Sequence, residues 1–270
     1  MQNFRTRYRN RRYIGHVSIL GTTQLHLRSP LTIALWSLAF PGFGHMLMNK
    51  YLRGYALFLW ELFINQITHL NLAIVYSFNG QFDAAKSVLN ERYTLLYVPV
   101  YLFAVWDSYR TTVDLNKITL LARRENAPFN NFAISALEIN YLDKRKPWIA
   151  FVWSMTVPSL GQLYIHRIVL AIFTLSITIV IVALSGLIEG IHYLILGQVA
   201  KSNSVLDPQW LLYFPSLYFY TIYDAYVNTV ENNKLFDLEQ RKYLTDQFQS
   251  PSFVIHKGAK IDANSDLCRV

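Results

Sequence analysis

Three ionisable residues lie within apolar stretches of this sequence, where a charged side chain is costly to bury. Glu61 lies in one apolar segment, with Asn65 one helical turn later. Glu189 lies in another, and His192 follows at i+3, on the same face of a helix. These residues predict a proton or cation site, or polar contacts with a lipid headgroup or a partner helix. The alternative is a structural role, in which a glutamate near the end of a span is hydrogen-bonded within a helical bundle.

Two aspartates end apolar segments in similar contexts: Asp107 in Trp-Asp-Ser-Tyr and Asp224 in Tyr-Asp-Ala-Tyr. We expect them to share a structural task. Each could accept hydrogen bonds from backbone N–H groups freed at a Pro-Gly break, or pair with Lys50 and Arg167. A catalytic role is the weaker interpretation, because neither aspartate has a set of metal ligands near it in the sequence.

The sequence has no further pattern that is typical of catalysis. Its seven histidines lack the spacing of metal ligands, and no glycine-rich phosphate loop or nucleophile elbow is present. The single cysteine, Cys268, can form no disulfide within the chain. We therefore predict no catalytic, cofactor-binding or metal-binding residue and no cofactor, although an unusual intramembrane enzyme stays open as a third possibility.

The composition indicates the elements that must position these residues. Of the 270 residues, 53% are hydrophobic and only 16% are charged, whereas soluble domains carry about 25% charged residues. The charges concentrate in the two tails and a central segment, and long stretches between them are nearly uncharged. This pattern predicts a polytopic membrane protein and argues against an ordinary soluble enzyme.

An internal repeat organises the apolar stretches. Residues of types that are seldom matched by chance recur in the same order 117 positions later. The residues Pro30, Trp36, Ser37, Pro41 and Gly44 recur as Pro147, Trp153, Ser154, Pro158 and Gly161. Further matches pair Asp107 with Asp224 and Asn116 with Asn233. The sequence therefore predicts two tandem repeats, each with three apolar segments.

The distribution of positive charge favours one arrangement of these segments. The first segment of each repeat, 31–48 and 148–166, is short and is broken at Pro41 or Pro158. If both broken segments enter the membrane and return, 22 of the 25 Lys and Arg residues lie on the cytoplasmic side, as the positive-inside rule requires. If they cross, only 15 do. We predict an all-α, polytopic membrane helical bundle with four full spans and two broken, re-entrant or interfacial helices.

These predictions divide the chain into five parts. They are a basic cytoplasmic tail (1–29), membrane repeat 1 (30–117), a cytoplasmic linker with an amphipathic helix (118–146), membrane repeat 2 (147–234) and a cytoplasmic tail (235–270). The linker helix is predicted from apolar residues with helical spacing between Ala133 and Leu142. The first tail carries the arginines 5, 7, 9, 11, 12 and 28 and no acidic residue, which favours contact with anionic lipid headgroups over nucleic acid.

The broken segments resemble a known family. Pro41-Gly42-Phe43-Gly44-His45, followed by Gly54 and a late Trp106-Asp107, is similar to the motif of the two-transmembrane-helix domain superfamily, and the second repeat carries Pro158-Ser159-Leu160-Gly161-Gln162 and Tyr223-Asp224. Ser159 and Ala171 stand where the first repeat has glycine. The resemblance covers both repeats as a tandem pair. It implies a helical membrane fold more than an activity, since the relatives are mostly uncharacterised bacterial membrane proteins.

Two functions follow as expectations. The first is a non-enzymatic integral membrane subunit that scaffolds or regulates a larger cell-envelope assembly, such as a transporter or a membrane-bound synthase. The second is a small transporter or lipid-moving protein that uses the broken helices as a path lined by Glu61, Glu189 and His192. In both, the chain is a multi-pass protein of the plasma membrane with cytoplasmic termini, and its partners are membrane lipids and a membrane or cytoplasmic protein.

Overall fold

The computed structural model describes residues 12–249, and most of this part of the chain is helical. In the first half, helices begin and end at α1 Pro30–Ala39, α2 Phe43–Leu47, α3 Tyr51–Thr68, α4 Leu70–Phe78, α5 Phe82–Val88 and α6 Glu91–Arg124. Ser29 caps α1 and Pro30 opens it, which is the position where proline's missing N–H costs nothing. The arginines at 5, 7, 9 and 11 and Cys268 lie outside the described residues.

The helices of the second half follow the same order. They are α7 Pro147–Thr156, α8 Leu160–Tyr164, α9 Ile168–Ser185, α10 Leu187–Ile195, α11 Val199–Val205, α12 Pro208–Leu211 and α13 Tyr213–Phe248. Each helix from α7 to α11 begins and ends 117 residues after its counterpart among α1 to α5. The last helix of each half is long, because α6 and α13 continue well beyond the apolar segments that begin them.

The first two helices of each half form a tight hairpin against the long helix that ends that half. Taken in chain order, contacts with α6 join Arg28 to Asn116, Leu38 to Tyr101, His45 to Asp107 and Met48 to Thr112. The chain therefore runs along α6 in one direction through α1 and returns through α2. Contacts with α13 join Arg145 to Asn233, Met155 to Tyr218 and Gln162 to Asp224 in the same way.

The mostly helical structure is consistent with the all-α expectation, and five short strands accompany the helices in residues 12–249. They are β1 Gly15–Ser18, β2 Gly21–Gln24, β3 Phe129–Asn130, β4 Phe132–Ile134 and β5 Ile139–Tyr141. One sheet has the order β2-β1-β3, with β2 antiparallel and β3 parallel to β1, and β4 pairs with β5 as a separate antiparallel hairpin. The N-terminal segment from residue 12 thus packs against the linker instead of forming a separate tail.

The β4–β5 hairpin occupies the stretch where an amphipathic helix is predicted, so the prediction of a helix between Ala133 and Leu142 is wrong. Residues Phe132, Ile134, Ile139 and Tyr141 are exposed large β-branched or aromatic side chains, a composition that favours strands. Asn140 points inward and donates a hydrogen bond to the Ser18 carbonyl at 2.7 Å. The apolar residues on which the helix is predicted, 134, 137 and 141, lie on β4, in the turn and on β5, so their helical spacing is not realised.

Only α9, among the helices of residues 12–249, is both long and apolar enough to cross a membrane. The predicted second segments, 54–77 and 168–197, are each divided into two helices, because the chain adopts a left-handed conformation at His69 and at Gly186. The helix α3 has the same length as α9, but Arg53 and Glu61 make it less apolar.

Candidate functional site

Asp107 on α6 is the centre of a polar cluster in the first half. Its Oδ2 accepts a hydrogen bond from His45 Nε2 at 3.0 Å and another from Arg53 at 2.6 Å. His45 belongs to α2 and is fully buried, whereas the side chain of Arg53, on α3, is 50% exposed. One carboxylate therefore joins α6 to both α2 and α3, the helices on either side of Lys50.

Asp224 on α13 occupies the equivalent place in the second half, with a different set of partners. Gln162 and Asn228 donate to its carboxylate at 3.0 and 2.9 Å, and Arg167 forms a salt bridge with it. The side chains of Asp224 and Arg167 are 0% and 2% exposed. This ion pair is therefore enclosed, and its attraction is not screened by water.

Arg167 also reaches into the other half of the molecule. Its second terminal nitrogen donates to Asn49 Oδ1 at 2.8 Å and to the Tyr51 hydroxyl at 2.9 Å. The fork of the guanidinium group makes this possible, because its nitrogens point in different directions. Arg167 thus ties the start of α3 to α9 and α13.

The observed partners of the two aspartates agree only in part with those expected from the sequence. Asp224 pairs with Arg167, as expected, but Asp107 pairs with Arg53 and His45, and the expectation of Lys50 is wrong. Lys50 ends the turn after α2, and Arg53 comes one helical turn later on α3. In both halves the aspartate holds the returning arm of the hairpin against the long helix.

One asparagine completes the support of each hairpin, and the sequence predicts no role for either of them. Asn116 accepts from the backbone N–H of Arg28 at 3.0 Å and donates to the Arg28 carbonyl at 2.7 Å. Asn233 makes the same pair of bonds with Arg145, at 2.9 and 2.7 Å. The sequence features that indicate this role are their spacing of 117 residues and an amide side chain that can both donate and accept hydrogen bonds.

Replacing either asparagine with alanine should lower the free energy of unfolding by about 1–3 kcal/mol, because two backbone groups lose their partner. The measurement is SDS titration of the full chain in neutral detergent. Asn131→Ala is the control, since Asn131 makes an exposed bond to Glu239 and should change stability by about 0.5 kcal/mol or less. Equal effects of all three substitutions would contradict this role.

The motif residues Pro41, Gly44, Pro158 and Gly161 lie at the tips and inner faces of the hairpins. Pro41 and Pro158 follow the ends of α1 and α7 and cannot continue those helices. A Cβ atom on Gly44 would lie 2.6 Å from the Ile33 carbonyl oxygen, and one on Gly161 would lie 2.3 Å from that of Ala150. These glycines therefore let the two arms of each hairpin approach closely.

Glu61 lies in a buried polar network at the other end of the molecule. Its Oε1 accepts from Asn65 at 3.3 Å and from the Tyr97 hydroxyl at 3.2 Å, while its Oε2 is buried without a hydrogen-bond partner. Asn65 in turn accepts from Gln209 at 2.9 Å, and Asn71 Nδ2 donates to the Gln209 carbonyl at 3.0 Å. The network joins the two halves at the end opposite Arg167.

Glu189 and His192 do not belong to this network, and both are exposed on α10. Neither forms a salt bridge among the described residues. The prediction that Glu61, Glu189 and His192 face a common path is therefore wrong for the last two. Four cavities among residues 12–249, of about 570, 150, 70 and 10 Å³, are lined by none of the three.

Within residues 12–249, no three His, Cys, Asp or Glu side chains form a group that could hold a metal ion. The geometry of the two aspartate clusters instead supports a mechanical role, in which buried polar groups lock two helical hairpins in place. No family model, curated protein or solved structure matches this chain.

Proposed function

We propose that this chain is a multi-pass integral membrane protein, and that it acts as a non-enzymatic subunit scaffolding or regulating a larger assembly of the cell envelope. The observation that carries the proposal is an unequal covering of two equivalent surfaces. The hairpin α1–α2 is covered on its outer face by the second half of the chain. The equivalent face of α7–α8 is not covered.

The covered face shows what kind of partner such a hairpin takes. Phe43 stacks on Tyr220 of α13 with ring centroids 4.1 Å apart, and Trp36 lies 5.0 Å from the Tyr223 ring. Phe40 packs near Tyr213 of the same helix. An aromatic face of a long helix thus fills the groove beside α1 and α2.

On the second hairpin two of the three matching positions are exposed, and the third, Leu160, is half-buried. Trp153, the counterpart of Trp36, is 48% exposed, and Val157, the counterpart of Phe40, is also exposed. We infer that a partner's membrane helix with an aromatic face packs here, as α13 packs on the first hairpin.

The distribution of polar and apolar side chains supports placement in a membrane. The interior contains fully buried polar residues such as Gln162, Thr174 and Asp224, whereas large apolar side chains such as Ile172, Ile179 and Leu184 are exposed on α9. This arrangement is unfavourable in water and favourable in lipid, where the exterior must be apolar and polar groups must pair internally. A purified chain that stays monodisperse without detergent would contradict it.

The proposed topology has four spans and two re-entrant hairpins in the plasma membrane, with cytoplasmic termini. An 18-residue helix such as α3 or α9 is about 27 Å long, close to the roughly 30 Å of a bilayer core. The returning course of α1–α2 and α7–α8 suits a re-entrant segment, whose backbone must be buried in protein. Lys86, Arg92 and Lys201 would then be the only basic residues outside the cell, of 25 in the sequence.

The aspartate clusters support a non-enzymatic role. Both carboxylate oxygens of Asp224 accept hydrogen bonds, from Gln162, Asn228 and Arg167, whereas the two bonds to Asp107 both go to its Oδ2. An acid or base that acts on a substrate needs a free side to reach it. The Asp224 cluster provides no such side, and the side chain of Asp107 is only 5% exposed.

The test is site-specific photo-cross-linking of the full chain in its native membrane. A benzophenone side chain at position 153 should cross-link to a partner protein, and the same group at Ile179, which faces outward on α9, should not. Trp153→Ala should then lose the partner from a mild-detergent pull-down while Ile179→Ala retains it. A partnerless, monomeric protein would overturn the subunit role, and a cross-link to a second copy alone would make it a homo-oligomer.

One observation favours the alternative of a small transporter or lipid-moving protein. The buried and unpartnered Oε2 of Glu61 is a group that a moving proton or cation could use. A transport activity that Glu61→Gln abolishes, and that persists when the proposed partner is removed, would replace the subunit role with this one.

A further inference from the structure

A small cavity lies where the chain enters the first hairpin. Its volume is about 150 Å³, far above the roughly 10–15 Å³ that one water molecule requires. His26, Arg28, Ser29 and Thr32 line one side, and residues of α13, including Asn228 and Glu231, line the other. Ser29 is exposed, so the cavity opens near the molecular surface.

Two basic side chains in this cavity lack partners. One terminal nitrogen of Arg28 and Nδ1 of His26 are buried without a hydrogen bond, and His26 is only 5% exposed. A buried donor without a partner costs free energy, and a buried cation without a counter-ion costs more. The hydrogen bonds between Arg28 and Asn116 involve the backbone of Arg28. They fix the position of the residue and leave its guanidinium group available to a ligand.

Burial and neighbouring positive charges lower the pKa of both basic side chains of the cavity. Burial and the charges of Arg28, Lys234 and Arg167 lower the pKa of His26 to about 2, and burial and Arg167 lower the pKa of Arg28 to about 10. Glu231 lines the cavity and also pairs with Lys234 at 2.6 Å. Its charge and that of Asp224 act in the opposite direction and raise the pKa of Arg28, but burial and Arg167 outweigh them. The N-terminus of the ten-residue α1 adds the partial positive charge of a helix dipole at the same place.

In the second half of the chain, the arginine at the equivalent position has partners for its guanidinium group. Arg145 is the counterpart of Arg28, and its backbone is held by Asn233 in the same way. Its guanidinium group, however, contacts Asp143 at 3.4 Å and lies 5.4 Å from the ring of Tyr164. The cavity beside Arg145 holds only about 10 Å³. Arg145 therefore provides an internal comparison for Arg28.

We propose that the cavity at the start of α1 binds one phosphate group, with the Arg28 guanidinium and His26 Nδ1 as donors. Phosphate suits this site because a guanidinium group matches its oxygens with a planar fork and a helix N-terminus attracts its charge. The same chemistry is offered by the headgroup of an anionic phospholipid and by free phosphate. The proposal does not depend on the subunit role, since it concerns a ligand of this chain alone.

The test uses native mass spectrometry of the full chain in neutral detergent, with added phosphatidylglycerol or phosphatidylcholine. The wild type should retain one phosphatidylglycerol, Arg28→Gln should bind it about ten-fold or more weakly, and Arg145→Gln should behave as wild type. Phosphatidylcholine, which carries no net charge, should be retained no better by the wild type than by Arg28→Gln. Arg28→Lys, which keeps the charge without the fork, should fall between the wild type and Arg28→Gln.

A second arm distinguishes the source of the phosphate. Inorganic phosphate at millimolar concentration should raise the unfolding temperature of the wild type and not of Arg28→Gln if free phosphate is the ligand. It should have no effect on either if the site takes only a lipid headgroup. Equal retention of phosphatidylglycerol by the wild type and Arg28→Gln, with no effect of phosphate on the wild type, would overturn the proposal.

Discussion

Replacing Asp224 with asparagine should lower the free energy of unfolding by about 3–5 kcal/mol, because it leaves the enclosed Arg167 without a counter-charge. The side chain of Arg167 is 2% exposed, so water cannot take the place of the lost carboxylate. The expected result is a large shift of the unfolding midpoint in an SDS titration from neutral detergent.

The first half of the molecule supplies the matched control. Asp107→Asn removes the equivalent carboxylate, but its cationic partner Arg53 is half exposed and can turn to solvent. The expected loss is about 1 kcal/mol. The double variant Asp224→Asn/Arg167→Met should recover part of the loss of the single variant, since it removes the unpaired charge. Similar losses for Asp224→Asn and Asp107→Asn would refute the enclosed ion pair as the cause.

The turns of the two hairpins should respond to substitution with opposite signs. Gly42 has a φ of +101°, and a Cβ atom there would lie 2.4 Å from the Gly54 carbonyl oxygen. Gly42→Ala should therefore destabilise the chain by about 3 kcal/mol, from left-handed backbone strain of about 1–2 kcal/mol and a steric clash of similar size.

Ser159 is the counterpart of Gly42 and already adopts a φ of +94°. Its hydroxyl is buried without a hydrogen-bond partner. Ser159→Gly should stabilise the chain by about 1 kcal/mol, because it relieves the backbone strain and removes the unpaired hydroxyl. The same SDS titration measures both variants, and a loss of stability on Ser159→Gly would show that the strain at this turn is not the dominant cost.

The sequence predicts the helical character of the chain and the importance of its aspartates better than it predicts their partners. The pairing of Asp224 with Arg167 follows from one recurring basic position. In the first half that position is Lys50, and the bond to Asp107 comes instead from Arg53, which has no basic counterpart in the second half. A side chain one turn further along a helix reaches the same carboxylate, and spacing in the sequence does not distinguish the two.

Other features depend on contacts that no short pattern contains. The helical spacing between Ala133 and Leu142 is not realised, because the β4–β5 hairpin forms there and its Asn140 donates to the carbonyl of the distant Ser18. The i+3 spacing of Glu189 and His192 places them on one face of α10 but does not say whether that face is buried. Whether that face is buried depends on the number and direction of the neighbouring helices, which are determined by the whole fold.

Arg167 and Gln209 of the second half form hydrogen bonds to the first half, and the equivalent residues of the first half could not form them. A chain assembled from two copies of the first repeat would have lysine at the place of Arg167 and Arg92 at that of Gln209. The single ammonium group of lysine lacks the fork that reaches Asp224, Asn49 and Tyr51 together, and an arginine could not accept the backbone N–H of Leu72 as Gln209 does. Two copies of the second repeat would lose Asn65 and Asn71 instead, since Val182 and Ile188 stand there. Each half therefore provides contacts to the other half that a second copy of itself could not provide.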